Sequence, residues 1–201
     1  MAIENYHNKT CLRWVPRDME PDYVIFVEGD WCTSGPGRLG NGPQYITISS
    51  TCLSYTTAVH EMMHAAGFYH EHNRPDRDDY IKVLWENIDP EAFSHFMKMK
   101  PGTGNTLGLP YDYVSVVHYH ERAFSIDPGR LPSMVPVDPA VNSSFSNVDL
   151  SPIVEDVIGF GGVANAKDVI DVPAPKEYIM GEIGGNPSVY CAHRDLSNCG
   201  R

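Results

Sequence analysis

The sequence predicts an α+β fold, because strand-like segments come first along the chain and helical segments follow them. Residues 23–27 (Tyr-Val-Ile-Phe-Val) form a short apolar run bounded by acidic residues, which is typical of a buried strand. Residues 44–49 alternate like a second strand, and a helical pattern begins only at Ser54. The strands and helices do not alternate as βαβ units, and this favours the α+β class.

Helices and an irregular region complete the predicted order of elements. Residues 1–12 are expected to be the end of a helix. The helix that begins at Ser54 is expected to end at Gly67, because glycine readily adopts the left-handed conformation that ends helices. Another helix is predicted over residues 89–98, which open with an aspartate as N-cap and a proline at the first helical position. Residues 101–151 are rich in Pro, Gly, Ser and Asp and are expected to be irregular.

Composition limits the class of function. The 201 residues fit one domain and carry a formal net charge of −11 at pH 7. No basic cluster is present that could bind a phosphate backbone, so we expect no nucleic-acid partner. No stretch approaches 18 consecutive apolar residues, so we expect no membrane span. The first residues lack the basic and apolar regions of a signal peptide.

The cysteines indicate an oxidising compartment. No two of them form a CxxC pair, and their wide spacing fits long-range disulfides better than a zinc knuckle or a thioredoxin-type motif. They are Cys11, Cys32, Cys52, Cys191 and Cys199, an odd number that leaves at least one thiol free or paired outside the chain. Two glycosylation sequons, at Asn8 and Asn142, point to the same compartment, although sequons also arise by chance. The expected localisation is secreted or extracellular.

A histidine pattern carries the chemistry. His60 and His64 are four residues apart, so on a helix their imidazoles project from one face about one turn apart and can bind one zinc ion. Glu61 is rotated by about 100° around the axis, where its carboxylate can reach a water on the metal. A sharp exit at Gly67 allows His70 to return as a third ligand.

Three protein ligands and an open position describe a catalytic zinc site, whereas structural zinc sites are usually closed by four ligands. The alternative is that these histidines belong to the core of an amphipathic helix. That interpretation suits a single histidine better than a complete set at this spacing.

The residues around this pattern resemble the extended signature of the astacin family of zinc endopeptidases, HExxHxxGxxHExxRxDRD. Every fixed position is filled between His60 and Asp78. Residues 111–119 are similar to the family's SxMHY segment, residues 131–136 to the stretch that follows it, and residues 10–17 to its first cysteine region.

The resemblance implies a metzincin-type catalytic domain of two subdomains. In it, a twisted sheet and a zinc-binding active-site helix lie above an irregular C-terminal subdomain, with a substrate cleft between them. The protease domain is expected to take residues 1–172, without the family's N-terminal strand. Residues 173–201 are expected to form a Pro/Gly-rich C-terminal tail that holds the last two cysteines.

Roles follow from the same resemblance. It implies that His60, His64 and His70 bind one zinc ion per chain and that Glu61 is the general base and proton shuttle. Tyr119 matches the tyrosine that ligates zinc at rest and then stabilises the oxyanion. With eleven tyrosines in the chain, the alternative for Tyr119 is a core aromatic residue.

Four charged residues after the third histidine, namely Arg74, Asp76, Arg77 and Asp78, are interpreted as structural support; a solvated charge cluster is the alternative. The resemblance also implies a short-loop disulfide between Cys32 and Cys52. A second disulfide is predicted between Cys11 and Cys191, with Cys199 as the alternative partner of Cys11.

The chain departs from the family pattern at Val117, which stands where the family has the methionine beneath the metal, and in its N-terminal and C-terminal segments. The leading hypothesis is a secreted zinc-dependent endopeptidase that acts on protein or peptide substrates. The alternative is a catalytically weak zinc-binding protein that acts as a binding module. The intact Glu61 argues for the endopeptidase, because a pure binder does not need that carboxylate.

Overall fold

The computed structural model describes residues 1–100, 103–106, 108–141, 145 and 149–151, together with the backbone of residues 188–194. The chain divides into two compact units, of which the first takes residues 1–68 and 154–201 and the second takes residues 69–153. The described residues form a few helices and two sheets without repeated βαβ units, and the predicted α+β class is confirmed.

In its described residues, the first unit contains two α-helices and a five-stranded sheet. Its elements are α1 (Ala2–Lys9), β1 (Leu12–Pro16), β2 (Tyr23–Glu28), β3 (Thr33–Ser34), β4 (Pro43–Ile48), α2 (Tyr55–Ala65) and β7 (Ser188–Arg194). The strand order is β1-β7-β2-β4-β3; β2 and β4 are parallel and every other pair is antiparallel. The two strands predicted at 23–27 and 44–49 are therefore adjacent in the sheet. β1 and β7 were not predicted, and β7 comes from the segment expected to be a tail.

Aromatic and aliphatic side chains join the two helices of this unit. Tyr6 on α1 and Val59 on α2 are both fully buried, and the Tyr6 hydroxyl donates a hydrogen bond of 2.8 Å to the Val59 carbonyl. The Trp14 ring packs edge-on against Tyr6 at 6.0 Å and against Phe26 at 6.3 Å. This core holds α2 in place from the side opposite to its solvent-facing residues.

The second unit has little regular structure. It contains the two-stranded sheet of β5 (Ile81–Val83) and β6 (Met134–Pro136) and four 3₁₀ segments, Glu71–Asn73, Arg77–Asp79, Trp85–Asn87 and Pro90–Phe96. Nine residues from five stretches of chain form its core, namely Ile81, Val83, Ile88, Ala92, Phe96, Tyr111, Ala123, Met134 and Phe145. The described residues after residue 100 agree with the prediction that this part of the chain is irregular.

The helix predicted at 89–98 is a 3₁₀ segment instead. Asp89 does cap it, since its carboxylate accepts a hydrogen bond of 3.0 Å from the Glu91 N–H, and Pro90 follows as expected. The carbonyls of His95 and Phe96 are taken by side chains from elsewhere in the chain, Asn73 and Arg77 respectively. These tertiary hydrogen bonds satisfy the last carbonyls of the segment, which lack partners within any helix, and local propensity does not show them.

The disulfide predictions have different outcomes. Cys32 and Cys52 are bonded, with their Cα atoms 6.3 Å apart, as predicted. Cys11 is also disulfide-bonded. In the antiparallel pair of β1 and β7, Cys191 lies opposite Val15, which is four residues after Cys11 in the chain. That spacing is about 13 Å, beyond the ~7 Å limit for a disulfide, so the register contradicts the Cys11–Cys191 pairing. Cys199, the alternative, lies outside the described residues.

None of the helices in the described part of the chain is long and apolar enough to cross a bilayer. The glycosylation sequon at Asn142 and the proposed boundary at residues 172 and 173 also lie outside the described residues, so both stay predictions.

Candidate metal centre and active site

Helix α2 positions the first two candidate ligands. Ser54 caps it, with its hydroxyl accepting a hydrogen bond of 3.0 Å from the Thr57 N–H. Val59, Met62 and Met63 are at most 1 % exposed and anchor the helix in the core of the first unit. Because these anchors fix the rotation of the helix, they also fix the face that carries the two histidines.

The helix ends as the sequence predicts. Gly67 has φ of +105°, in the left-handed region that glycine adopts without strain. Its N–H donates to the His64 carbonyl at 2.8 Å, and the Phe68 N–H donates to the Met63 carbonyl at 3.2 Å. These two bonds satisfy carbonyls of the last turn and redirect the chain toward His70.

The three histidines meet the requirements of a metal centre. One ring nitrogen from each of His60, His64 and His70 lies within 4.8 Å of the others, and the Nε2 atoms of His60 and His64 are 3.0 Å apart. His64 Nδ1 lies 2.7 Å from the Phe68 carbonyl oxygen, which can only accept, so Nδ1 carries the proton and Nε2 presents a lone pair. The donor set therefore fits zinc, which binds neutral imidazole nitrogens.

Burial and electrostatics also favour the neutral form of His64. Burial lowers the pKa of His64 to about 4, and the neighbouring charge of His60 acts in the same direction. His64 therefore remains neutral and able to bind metal throughout the physiological pH range.

Glu61 is unusual among the acidic residues. It is 5 % exposed, and burial raises its pKa to about 7. Its Oε2 atom is buried and has no hydrogen-bond partner in the described part of the chain. A buried carboxylate oxygen without a partner costs free energy, and such groups are retained at functional sites. This environment distinguishes Glu61 from a solvated surface carboxylate.

The segment after His70 is held by a buried guanidinium. Arg74 donates hydrogen bonds to the Glu71 carboxylate at 2.8 Å, to both carboxylate oxygens of Asp76, and to the carbonyls of Leu109 and Pro110. Its side chain is only 9 % exposed. Burial nevertheless raises the pKa of Glu71, while Arg74 and the Asp112 N–H oppose that rise. For Arg74, structural support fits the geometry and a solvated charge does not.

A second buried guanidinium, that of Arg77, holds the next turn of the chain in the same way. Its guanidinium donates to the carbonyls of His72 and Phe96 at 2.9 and 2.8 Å and to the Asp78 carboxylate at 2.6 Å. Arg77 is 4 % exposed, whereas Asp78 is largely solvent-exposed and also accepts a hydrogen bond from Lys98.

Tyr119 lies beside the third histidine of the metal centre. The ring centroids of Tyr119 and His70 are 4.7 Å apart, and the Tyr119 ring stacks on His72 at 4.1 Å. Its carbonyl oxygen accepts a hydrogen bond of 2.6 Å from His118 Nδ1, while the Tyr111 hydroxyl donates to His118 Nε2 at 2.7 Å. His72, Tyr111 and His118 therefore support Tyr119. Tyr111 and His118 both lie in the segment 111–119 that resembles the family. No spacing signal in the sequence marks His72 as a partner of Tyr119.

Val117, at the position of the family's methionine, is 2 % exposed. Its carbonyl accepts a hydrogen bond of 3.2 Å from the Glu71 N–H, the residue directly after His70. The substitution leaves this backbone contact available, because it depends on the main chain and not on the side chain.

Comparison with known proteins agrees with this geometry. The family model for astacin, which describes a peptidase family, matches residues 1–154. The chain belongs to the astacin family. Zinc metalloproteinase nas-7 of Caenorhabditis elegans is 43 % identical over 155 residues, which are 76 % of this chain and 40 % of that protein.

Two further astacin relatives extend the comparison. Zinc metalloproteinase nas-8 of Steinernema carpocapsae is 39 % identical over 92 % of this chain and 42 % of its own length. The structure of high choriolytic enzyme 1, a hatching enzyme zinc-protease from medaka (Oryzias latipes), superposes with a TM-score of 0.71 at 37 % identity, over 79 % of this chain and 77 % of that one. This astacin chain thus spans about 40 % of the length of the two nematode proteins. Zinc is the metal of the family, and the three histidines are positioned to hold it.

Proposed function

We propose that this chain is the catalytic part of a secreted zinc endopeptidase that hydrolyses peptide bonds in protein or peptide substrates. One observation carries the proposal: three histidine nitrogens converge while the intervening Glu61 keeps a buried carboxylate oxygen without a partner in the described part of the chain. A binding module gains nothing from that unpartnered carboxylate, which costs stability. Membership of the astacin family supports the same reaction.

His60, His64 and His70 would hold the zinc ion. When bound, zinc supplies Lewis acidity that polarises a peptide carbonyl and acidifies a coordinated water. Glu61 would take the proton of the attacking water on its carboxylate and return it to the leaving amine. Burial raises the pKa of Glu61 above that of a solvent-exposed carboxyl, which makes its carboxylate a stronger proton acceptor.

Tyr119 would donate its phenolic hydrogen to the oxyanion that develops on the substrate carbonyl. A phenol with a pKa near 10 remains a donor at neutral pH. The ring of Tyr119 is already placed against His70, so the hydroxyl need not be recruited from a distant element.

Secretion is proposed from the cysteines. Cys32 is bonded to Cys52, and Cys11 is bonded as well. Disulfides persist in extracellular and secretory compartments and are rare in the cytosol.

The first test separates the enzyme from the zinc-binding module. The purified chain is expected to contain one zinc ion and to cleave casein, and a chelator should abolish the cleavage. Glu61→Gln should keep the zinc and lose about 10²–10⁴ in rate, because only the proton acceptor is removed. The matched control is Glu91→Gln at an exposed position. Wild-type cleavage by Glu61→Gln, or a protein without zinc, would refute the mechanism.

The second test addresses Tyr119. Tyr119→Phe should fold and retain zinc, since three histidines remain, but should lose about 10²–10³ in kcat, the usual cost of one oxyanion donor. KM should change much less, because the hydrogen bond strengthens only in the transition state. A variant with the parental kcat would show that Tyr119 is a core aromatic residue.

A further inference from the structure

Phe124 has a backbone conformation that its side chain disfavours. Its φ is +53°, and it is the only non-glycine residue with positive φ in the part of the chain that the structure describes. Bulky residues rarely occupy this left-handed region, because Cβ crowds the following carbonyl. A conformation of this kind persists only where the surroundings over-determine it, and such residues cluster at functional sites.

Hydrogen bonds on both sides of Phe124 impose the conformation. The Phe124 carbonyl accepts from the Asp89 N–H at 2.9 Å, and the Ser125 N–H donates to the Arg122 carbonyl at 3.2 Å. Ser125 also forms an isolated antiparallel bridge with Ile88, a core residue of the second unit. The strained turn is therefore fixed to the core and cannot relax without breaking these contacts.

Burial of the Phe124 ring does not explain the strain. The residue is 46 % exposed, so a large part of its apolar surface stays in water. Its ring stacks on the exposed His95 at 5.1 Å with an interplanar angle of 13°. The ring also contacts the buried Phe96 edge-on at 6.3 Å and Tyr119 with centroids 5.6 Å apart and planes tilted by 43°.

The contact with Tyr119 carries the inference, because Phe124 is more exposed than the other rings around Tyr119. His72 and Phe96, which are fully buried, lie at 4.1 and 5.8 Å from it, and His70 lies at 4.7 Å. Phe124 is thus the exposed neighbour of the Tyr119 ring. The Phe124 ring therefore contacts Tyr119 from a partly solvent-exposed position.

We propose that Phe124 is a positioning residue for Tyr119. The Phe124 ring restricts the Tyr119 phenol to orientations that face the metal centre. The strained backbone at Phe124 places its ring against the phenol. The inference rests on the role proposed for Tyr119 in peptide hydrolysis. Phe124 itself is not assigned a contact with the reacting atoms.

Replacement of Phe124 by glycine distinguishes a positioning role from a purely structural role. Phe124→Gly removes the ring and at the same time relieves the strain, whereas Phe124→Ala removes the ring and keeps Cβ in the left-handed region. The glycine variant should therefore melt at a higher temperature than the alanine variant. Both should retain zinc and lose about 10- to 100-fold in kcat, with KM within about twofold of the parent, since a misplaced catalytic group costs rate rather than binding.

Two variants serve as controls. Phe124→Tyr keeps an aromatic ring at the same backbone position and should restore kcat to within about twofold of the parent. Phe93→Ala removes a comparably exposed ring, one that packs on Trp85 at 5.4 Å, and should leave kcat unchanged. A kcat that follows melting temperature across all four variants would overturn the proposal.

A double variant completes the test. If Phe124 acts through Tyr119, then Phe124→Gly should cost less than about twofold once Tyr119→Phe is present, because coupled residues are not additive. A full loss in the double variant, or parental kcat in Phe124→Gly alone, would overturn this inference and leave the role of Tyr119 intact. Parental kcat in Tyr119→Phe would overturn the role of Tyr119 and this inference together, while the Glu61→Gln result would still decide the reaction.

Discussion

Helix α2 and the segment 69–80 both supply ligands to the metal centre, but they hold them in different ways. On α2 the positions of His60 and His64 follow from helix periodicity and from buried apolar anchors such as Met62 and Met63. In the segment 69–80 the only regular structure is two 3₁₀ turns of three residues each. There the chain is fixed by buried guanidinium groups that satisfy carboxylates and carbonyls.

The difference shows that one part of the metal centre, helix α2, depends on nearby residues, and that the other part, the segment 69–80, depends on distant residues. An α-helix satisfies its own backbone groups, so its face is determined within about 11 residues. The segment 69–80 relies on partners such as Leu109 and Pro110, more than thirty residues along the chain. Its geometry should be correspondingly more sensitive to single polar substitutions.

Loss of the Arg74 guanidinium should have the largest effect on stability. Arg74→Ala leaves the Glu71 and Asp76 carboxylates without their cation and two carbonyls without a donor. Removal of one partner from a buried ion pair costs about 3–5 kcal/mol. Urea unfolding at neutral pH measures the change in the free energy of unfolding.

Two variants sharpen this comparison. Arg74→Lys keeps the charge but not the planar fork, so we expect a loss between those of the parent and the alanine variant. Arg122→Ala removes a guanidinium that is 37 % exposed and paired with Glu121, and should cost at most about 1 kcal/mol. Equal losses for Arg74→Ala and Arg122→Ala would show that the segment does not depend on its buried cation.

Acid should destabilise the second unit through His118. Burial holds the pKa of His118 at about 4, against 6.5 in an unfolded chain. Below pH 6.5 the unfolded chain therefore binds a proton that the folded chain does not, so stability is fully present above pH 6.5 and falls as the pH drops toward 4. The difference of about 2.5 pKa units corresponds to about 3 kcal/mol.

The pH dependence can be measured by urea unfolding of the metal-free protein between pH 7 and pH 4, where zinc release does not contribute. His118→Gln should be less stable than the parent at pH 7, since it disturbs the contacts to Tyr111 and Tyr119. It should also lose less stability on acidification. Parallel pH curves for the parent and the variant would contradict the prediction.

The contrast between the two regions also explains which structural features the sequence could predict. The α2 helix, its Ser54 cap, its Gly67 exit and the histidine cluster were all predictable, because each depends on residues within one or two helical turns. Strand β7 was not, because its position between β1 and β2 depends on pairing with residues at the other end of the chain.

The second unit was predictable only in outline. Its irregular character follows from composition, but the end of the 3₁₀ segment at residues 90–96 is bonded by side chains from residues 73 and 77, which local sequence does not reveal. For the same reason the ring contacts of Tyr119 with His72 and Phe124 could not be read from spacing. The resemblance to the astacin signature supplied the candidate, Tyr119, and the structure supplied its neighbours.

The smallest predicted effect concerns the helix itself. Ser54→Ala removes the hydroxyl that accepts from the Thr57 N–H at 3.0 Å, so one N–H of the first turn loses its partner. N-cap substitutions of this kind cost about 1 kcal/mol, and Ser54→Gly should cost only a few tenths because water reaches the exposed N–H more easily. Since the buried anchors still fix the helix, zinc content should not change. Urea unfolding and zinc analysis test both points, and a Ser54→Ala loss as large as that of Arg74→Ala would mean that α2 depends on its ends as much as the segment 69–80 depends on its guanidinium.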